Sequence, residues 1–271
     1  MLILGIILVM SLGLSAFFFI YFEFYNAWYN YFLLIPFILG SFILIFSVYF
    51  LFLVIGSFIL KKRNKNSNSK FLYFIVKETA GMIYFASNIR IKKYNMELEP
   101  RDEKYLLVSN HKSNFDPFLL YNVLKTNPLS LVTKPQNTEI PIFGPWIKYT
   151  GSIVISINDN FAAVKGIAQA INYIKNGITT VGIYPEGKRY FDEGMLDFHA
   201  GSFKIATKSK CPIVVAAGKN TEQIKFRFPK RTKVEFKIIK VLNYEDYKDL
   251  NTQELAKYCH DLIYNELYGN K

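Results

Sequence analysis

The residue types best able to do chemistry fall in two short segments: Asn110-His111-Lys112-Ser113-Asn114-Phe115-Asp116 and Tyr184-Pro185-Glu186-Gly187-Lys188-Arg189. The first sets an imidazole and a carboxylate five positions apart, just after an apolar run. Neutral imidazole is the usual base near neutral pH. If the intervening chain turns back, Asp116 can accept the ring N–H of His111, fix its tautomer and stabilise the imidazolium formed on proton transfer. The other ring nitrogen is then left to take a hydroxyl proton. The same residues also read as a plain helix start, with Asp116 capping ahead of Pro117 and His111 an ordinary loop residue. In the second segment Pro185 and Gly187 impose a tight turn that projects Glu186, Lys188 and Arg189. Arginine suits two-point recognition of a phosphate. Glu186 can accept from a substrate hydroxyl or hold the arginine. A solvated turn with a surface ion pair has the same composition. Together the segments offer a base with its orienting acid and a clamp for an anion.

Both segments follow strand-like runs, Tyr105–Ser109 and Thr179–Tyr184. Around them, helix-like and strand-like patterns alternate. Helices are expected at Pro117–Lys125 with Asp116 as N-cap, at Phe161–Lys175 closed by Gly177, at Ser202–Lys208 and at Thr252–Tyr268. Strands are expected at Leu129–Thr133, Ser152–Ile157, Pro212–Ala217 and Val234–Leu242. This alternation predicts an α/β fold, a mostly parallel central sheet flanked by helices. Sites in such sheets gather at the carboxyl ends of the strands, where both segments fall.

Ahead of that domain lies a different solvent. Leu2–Phe22 is uncharged and, at about 1.5 Å per residue, matches the roughly 30 Å of a hydrocarbon core. Tyr31–Leu60 is a second such run, trimmed at its start by Pro36, and Tyr25, Trp28 and Tyr29 between them suit a membrane–water interface. Lys61-Lys62-Arg63-Asn64-Lys65 follows at once, so the positive-inside rule predicts a hairpin with both ends in the cytoplasm. A cleaved signal peptide over 1–22 would lack a basic start and a small-residue cleavage site. The expected organisation is a transmembrane hairpin at 1–60, a basic linker at 61–70 and an α/β domain at 71–271. Residues 71–86 of that domain read as a membrane-associated helix.

All 33 basic residues and all but one of the 21 acidic ones lie beyond position 60, so that part of the chain carries about +13 against +12 for the whole. Such a domain prefers nucleic acid, a phosphate-bearing membrane surface or an acidic carrier protein; the anchor favours the last two over nucleic acid. Cys211 and Cys259 stand far apart with no metal-type spacing, as in a reducing compartment. No Walker loop, G-x-G-x-x-G or metal-ligand cluster is written in the sequence, so neither metal nor cofactor is expected.

An N-H-x4-D segment followed some seventy residues later by [FY]-P-E-G-x-R resembles the glycerolipid acyltransferase family, above all its 1-acylglycerol-3-phosphate acyltransferases. Thr133-Lys134, Pro141–Trp146, Phe198–Ala206 and Cys211–Val215 extend the resemblance over roughly residues 85–245. It implies acyl transfer from a thioester, acyl-CoA or acyl-carrier protein, to the sn-2 hydroxyl of lysophosphatidic acid, giving phosphatidic acid. His111 would deprotonate the hydroxyl, Asp116 would orient His111, and the alkoxide would attack the thioester without an acyl-enzyme. Glu186, Gly187 and Arg189 would position phosphate and glycerol, with Lys188 and Lys134 as further phosphate contacts. Backbone N–H groups near 111–117 or 186–189 would face the oxyanion. One departure stands out: where the family often carries an Asp-Arg pair after a glycine, this chain has Ser156-Ile157. That leaves open another lysolipid or glycerol 3-phosphate as acceptor. A lipid hydrolase using Ser109 or Ser113 lacks the G-x-S-x-G elbow. A module that only binds anionic lipid explains the charge but not the paired segments. Lys225–Lys233, with Arg227, Lys230 and Arg231, faces lipid headgroups, an acidic carrier or plain solvent on this reading.

Overall fold

The computed structural model describes residues 1–62, 69–125, 128–156, 159–190 and 194–269. Apolar composition decides its first two helices, α1 (Leu2–Tyr21) and α2 (Leu34–Lys61), both long and apolar enough to cross a membrane. Two 3-10 stretches, Phe24–Asn26 and Trp28–Leu33, join them. α2 therefore starts three residues later than the sequence pattern suggests, with Pro36 in its first turn, where a missing N–H breaks no helical bond. Ile7, Ser11, Ser15 and Phe19, four residues apart, form the buried stripe of α1. Ser15 Oγ lies 3.1 Å from Ser41 Oγ of α2. Small hydroxyl residues allow helices to approach closely and to bond across an apolar interface. The outward faces, with Val9, Phe17, Ile43 and Phe58, stay exposed.

α3 (Lys70–Ala86) is capped by the Ser69 side chain, which accepts from Leu72 N. It packs along the hairpin. Glu78 accepts from Ile3 N at 2.9 Å, and Tyr49 Oη sits 2.8 Å from Thr79 Oγ1. The basic linker expected at 61–70 is described only at its ends, in the last residues of α2 and the start of α3; Arg63 to Asn68 lie outside the described residues.

Beyond Asn88 the chain builds β1 (Ile89–Tyr94), β2 (Leu106–Ser109), α4 (Asp116–Val123), β3 (Leu129–Thr133), α5 (Pro135–Thr138), α6 (Phe143–Tyr149) and β4 (Ile153–Val154). There follow α7 (Asn160–Lys175), β5 (Thr180–Ile183), a 3-10 turn at Ala200–Phe203, α8 (Lys204–Ser209), β6 (Ile213–Lys219), α9 (Ile224–Arg227), β7 (Thr232–Leu242), α10 (Tyr244–Tyr247) and α11 (Thr252–Tyr268). The sheet order is β1-β7-β6-β2-β5-β3-β4, parallel throughout except where β6 meets β7. Leu106, Leu107, Val108, Val181, Ile213, Val214 and Val215 have no exposed surface, so the central strands are covered on both faces. α7, α8 and α11 cover one face; α3 and α4 cover the other.

Three departures from the sequence pattern have simple causes. β1 escapes that pattern because Ile-Arg-Ile-Lys-Lys-Tyr reads as polar; it lies at the sheet edge, where charged side chains face solvent and discourage further pairing. The strand expected at Ser152–Ile157 pairs over only two residues at the opposite edge, and Ile157 falls outside the described residues. The helix expected at Ser202–Lys208 begins as a 3-10 turn.

Candidate functional site

β2, β5 and β3 are parallel neighbours, so their carboxyl ends open onto one edge of the sheet. β2 delivers His111 there, β5 delivers Glu186 to Arg189, and β3 delivers Lys134. Asn110, 3 % exposed, anchors the first turn: its Nδ2 donates to Gly218 O and its Oδ1 accepts from Gly218 N, each at 2.9 Å. A side chain thus pairs like backbone with β6, and the main chain is freed to leave the sheet at His111.

Asp116 is the first residue of α4, with Phe115 at the N-cap, so the capping role expected for its side chain is corrected. Its carboxylate folds back instead. Oδ2 lies 2.8 Å from His111 Nδ1 and accepts from Lys112 N and Ser113 N, both at 2.7 Å. With Nδ1 so engaged, Nε2 is the ring nitrogen left for other chemistry. The His111 side chain is 19 % exposed and that of Asp116 only 7 %, so the base reaches solvent while its partner is enclosed. The Tyr184 ring stacks on the imidazole, centroids 4.3 Å apart and planes within 14°. Burial pushes the Tyr184 hydroxyl well above its ordinary pKa, and among the described residues that hydroxyl has no hydrogen-bond partner.

Glu186 is 2 % exposed. In place of a hydroxyl or an arginine, its oxygens accept backbone N–H groups: His111 N at 2.7 Å on Oε1 and Leu196 N at 3.2 Å on Oε2. Burial raises its pKa, while those two donors and the nearby Lys112 ammonium oppose the rise. The arrangement makes Glu186 a brace beneath the His111 backbone. Gly187 takes φ +67°, a conformation costly for residues with a Cβ, and closes the turn through its N–H to Tyr184 O at 3.0 Å. That turn leaves Lys188 and Arg189 exposed. The Arg189 guanidinium donates to Asn114 Oδ1, and Tyr190 N donates to His111 O at 3.4 Å. The second segment is therefore tied to the first within a few residues of His111. Lys134 is exposed at the same edge, one strand beyond β5.

The N–H groups expected to face an oxyanion at 111–117 are largely spent: Lys112 N and Ser113 N on Asp116, His111 N on Glu186, Phe115 N on Ser113 Oγ, and Asp116 N on Ser113 O. They stiffen the turn rather than line a cleft. Sequence reasoning assigned no role to Lys112 or to the Tyr184 ring. Lys112 is 8 % exposed; its Nζ donates to Gly194 O and lies 5.2 Å from the Tyr190 ring centroid. A lysine in a polar loop carries no sequence signal of burial, and an aromatic after a strand reads only as core. A groove of about 350 Å³ lined by Arg101, Asp102, Glu103, Lys104, Lys175 and Lys210, among others, lies at the opposite, amino edge of the sheet. No histidine lines it. The described residues contain no cluster of side chains fit to hold a metal ion.

Comparisons with known proteins find acyltransferases. The Acyltransferase family model matches residues 90–217, from β1 to β6. A 1-acyl-sn-glycerol-3-phosphate acyltransferase of Haemophilus influenzae is 25 % identical over 190 residues, 70 % of this chain and 79 % of that protein. The Escherichia coli protein of the same description is 26 % identical over 159 residues, 58 % of this chain and 64 % of its own length. The match thus spans somewhat less than two thirds of that relative. The crystal structure of the 1-acyl-sn-glycerophosphate (LPA) acyltransferase PlsC from Thermotoga maritima superposes with a TM-score of 0.62 at 22 % identity, covering 81 % of this chain and 87 % of that one. This likeness speaks to the fold.

Proposed function

We propose that the chain is a glycerolipid acyltransferase, as the match of the Acyltransferase family model over residues 90–217 supports, and that it moves an acyl group from a thioester to the sn-2 hydroxyl of 1-acylglycerol 3-phosphate, yielding phosphatidic acid. The observation that carries this reading is the His111–Asp116 pair, held within reach of Arg189 through Asn114. His111 Nε2 takes the hydroxyl proton as the oxygen attacks the thioester carbonyl. Asp116 holds the ring through Nδ1 and stabilises the imidazolium. The collapsing tetrahedral intermediate releases the thiolate, which recovers the proton from His111. Positioned base catalysis of this kind is worth roughly 10²–10⁴ in rate. Holding acceptor and donor together in reacting geometry accelerates the transfer further. Arg189, with Lys188 and Lys134 at the same edge, binds the acceptor's phosphate. Glu186 acts through the backbone, fixing where His111 leaves β2.

The donor is acyl-CoA or acyl-carrier protein, and no metal or further cofactor enters the scheme. Because Ser156-Ile157 stands where the family resemblance implies an Asp-Arg pair, phosphate recognition rests on Arg189, Lys188 and Lys134. α1 and α2 anchor the enzyme as a hairpin. The positive charges of Lys61 and Lys62 at the end of α2 support a cytoplasmic position for that end and for the catalytic domain.

The test is the purified full chain in lipid, given labelled acyl-CoA or acyl-carrier protein with a panel of lysolipids and glycerol 3-phosphate. Transfer to lysophosphatidate is expected. Transfer to none of these acceptors from either donor overturns the reading. In the same assay Arg189→Ala is expected to raise KM for lysophosphatidate with kcat changed much less. An unmoved KM would take the phosphate away from this side chain.

A further inference from the structure

Between β6 and β7 the chain presents Lys225-Phe226-Arg227-Phe228-Pro229-Lys230-Arg231, exposed at every residue. Phe226 is 79 % exposed and Phe228 61 %. Singly exposed apolar side chains are ordinary, but two phenylalanines two residues apart among four cations are not. In water such rings gain nothing. At a bilayer surface the rings enter the headgroup boundary while the cations meet anionic headgroups.

The position of the segment supports the same partner. Asn88, just past the end of α3, donates from Nδ2 to Pro229 O at 3.1 Å, accepts on Oδ1 from Arg231 Nε at 3.3 Å, and passes its backbone carbonyl to Thr232 N. The segment is thereby fixed to the end of α3, whose last turn carries Phe85, 66 % exposed. Two turns back along that helix, Glu78 receives the N-terminus of α1. α3 thus connects the patch to the apolar anchor. α9 also follows the carboxyl end of β6, so the patch shares the sheet edge of the candidate site.

We propose that Lys225–Arg231, together with Phe85, forms a second membrane contact that seats the site edge of the domain on an anionic bilayer surface, separately from the anchor hairpin. It concerns how the domain lies on lipid and stands whether or not lysophosphatidate is the acceptor. Charge alone suits an acidic carrier protein as well; the two exposed rings favour lipid.

Site-directed spin labelling of the full chain in proteoliposomes tests this. Cys211 and Cys259 are both buried, so a label at Phe226→Cys, or in a second variant at Phe228→Cys, reports that position alone. Tyr258→Cys on α11, in the layer on the other face of the sheet, is the reference. In phosphatidylcholine vesicles containing phosphatidylglycerol, the ratio of oxygen to nickel-chelate collisions is expected to be several-fold higher at 226 and 228 than at 258. Reversing Lys225, Arg227 and Lys230 to Glu in the labelled chain should lower that ratio. Equal nickel access at 226, 228 and 258 overturns the proposal. So does shielding that appears only on adding acyl-carrier protein, without a rise in oxygen access, because it assigns the patch to an acidic protein.

Discussion

His111 and Asp116 meet because α4 begins at the acid and turns its first residue back over the loop, where three N–H groups converge on one carboxylate oxygen. His111→Ala is expected to cost about three orders of magnitude in kcat, the middle of the usual range for base catalysis. An unchanged circular dichroism spectrum and Tm would show that the fold survives. Tyr184 offers a separate test. Its buried hydroxyl lacks a partner among the described residues, so Tyr184→Phe should gain about 1 kcal/mol and raise Tm while the ring stacked on His111 remains. A fall in Tm would reveal a bond to that hydroxyl. For Glu186, burial lifts the pKa above the ordinary 4.5, so the folded chain holds this proton more tightly than the unfolded one. The stability associated with that proton is complete below 4.5 and is lost as pH rises through the raised native value. Relative to wild type, Glu186→Gln is therefore expected to gain Tm as pH climbs from 4.5 to neutrality. A difference independent of pH would contradict it.

At the scale of elements, the segment from β3 to β4 links the site edge to the anchor. Trp146 on α6 is 4 % exposed and donates from Nε1 to Leu53 O of α2 at 3.0 Å. Leu53, Leu60, Leu72, Ile75 and Tyr149 enclose it. Ile142 enters α6 at φ +65° and ψ −54°, with Phe143 N bonded to Pro141 O at 2.7 Å, a three-residue turn that is strained for a β-branched side chain. The turn persists because α6 is fixed on both sides. Gly144 is indispensable to it: a Cβ there would stand 2.3 Å from the carbonyl oxygen of Thr138. Backbone pressed against backbone has little room to yield, so Gly144→Ala should lose about 1–3 kcal/mol, visible as a lower Tm. An unaltered Tm would mean that the α5–α6 turn can open without cost.

For the molecule as a whole, two surfaces obey different solvents. The hairpin exposes apolar side chains along its length, whereas the domain carries the positive charge. High salt screens charges but leaves burial in lipid untouched, so the full chain should stay in the membrane fraction through a salt wash. Release by salt alone would mean that charge, not the hairpin, holds the protein. Inside the domain, burial pushes the Cys259 thiol up to about 12 and raises Cys211 as well. Thiol reagents at pH 8 are thus expected to label neither cysteine until the protein unfolds. Rapid labelling of Cys259 in the folded chain would show that α11 opens.

Apolar runs determined the hairpin and the central strands, because burial in lipid or on both faces of a sheet writes itself into uninterrupted apolar stretches, and helical apolar spacing at Leu255, Cys259 and Ile263 determined α11. The spacing of His111, Asp116 and Arg189 pointed to the chemistry, because each residue type suits one task. Only the tertiary structure decided what Glu186, Lys112 and Tyr184 do. A carboxylate that braces a backbone, a lysine that is buried and a ring that stacks on a base differ from their surface counterparts solely in what surrounds them. β1 was invisible for the same reason: its charges are tolerated by an edge that exists only once β7 lies beside it. Local sequence fixes which groups a segment can offer, while burial and neighbours, set by chain segments far apart, fix which of those groups are left to act.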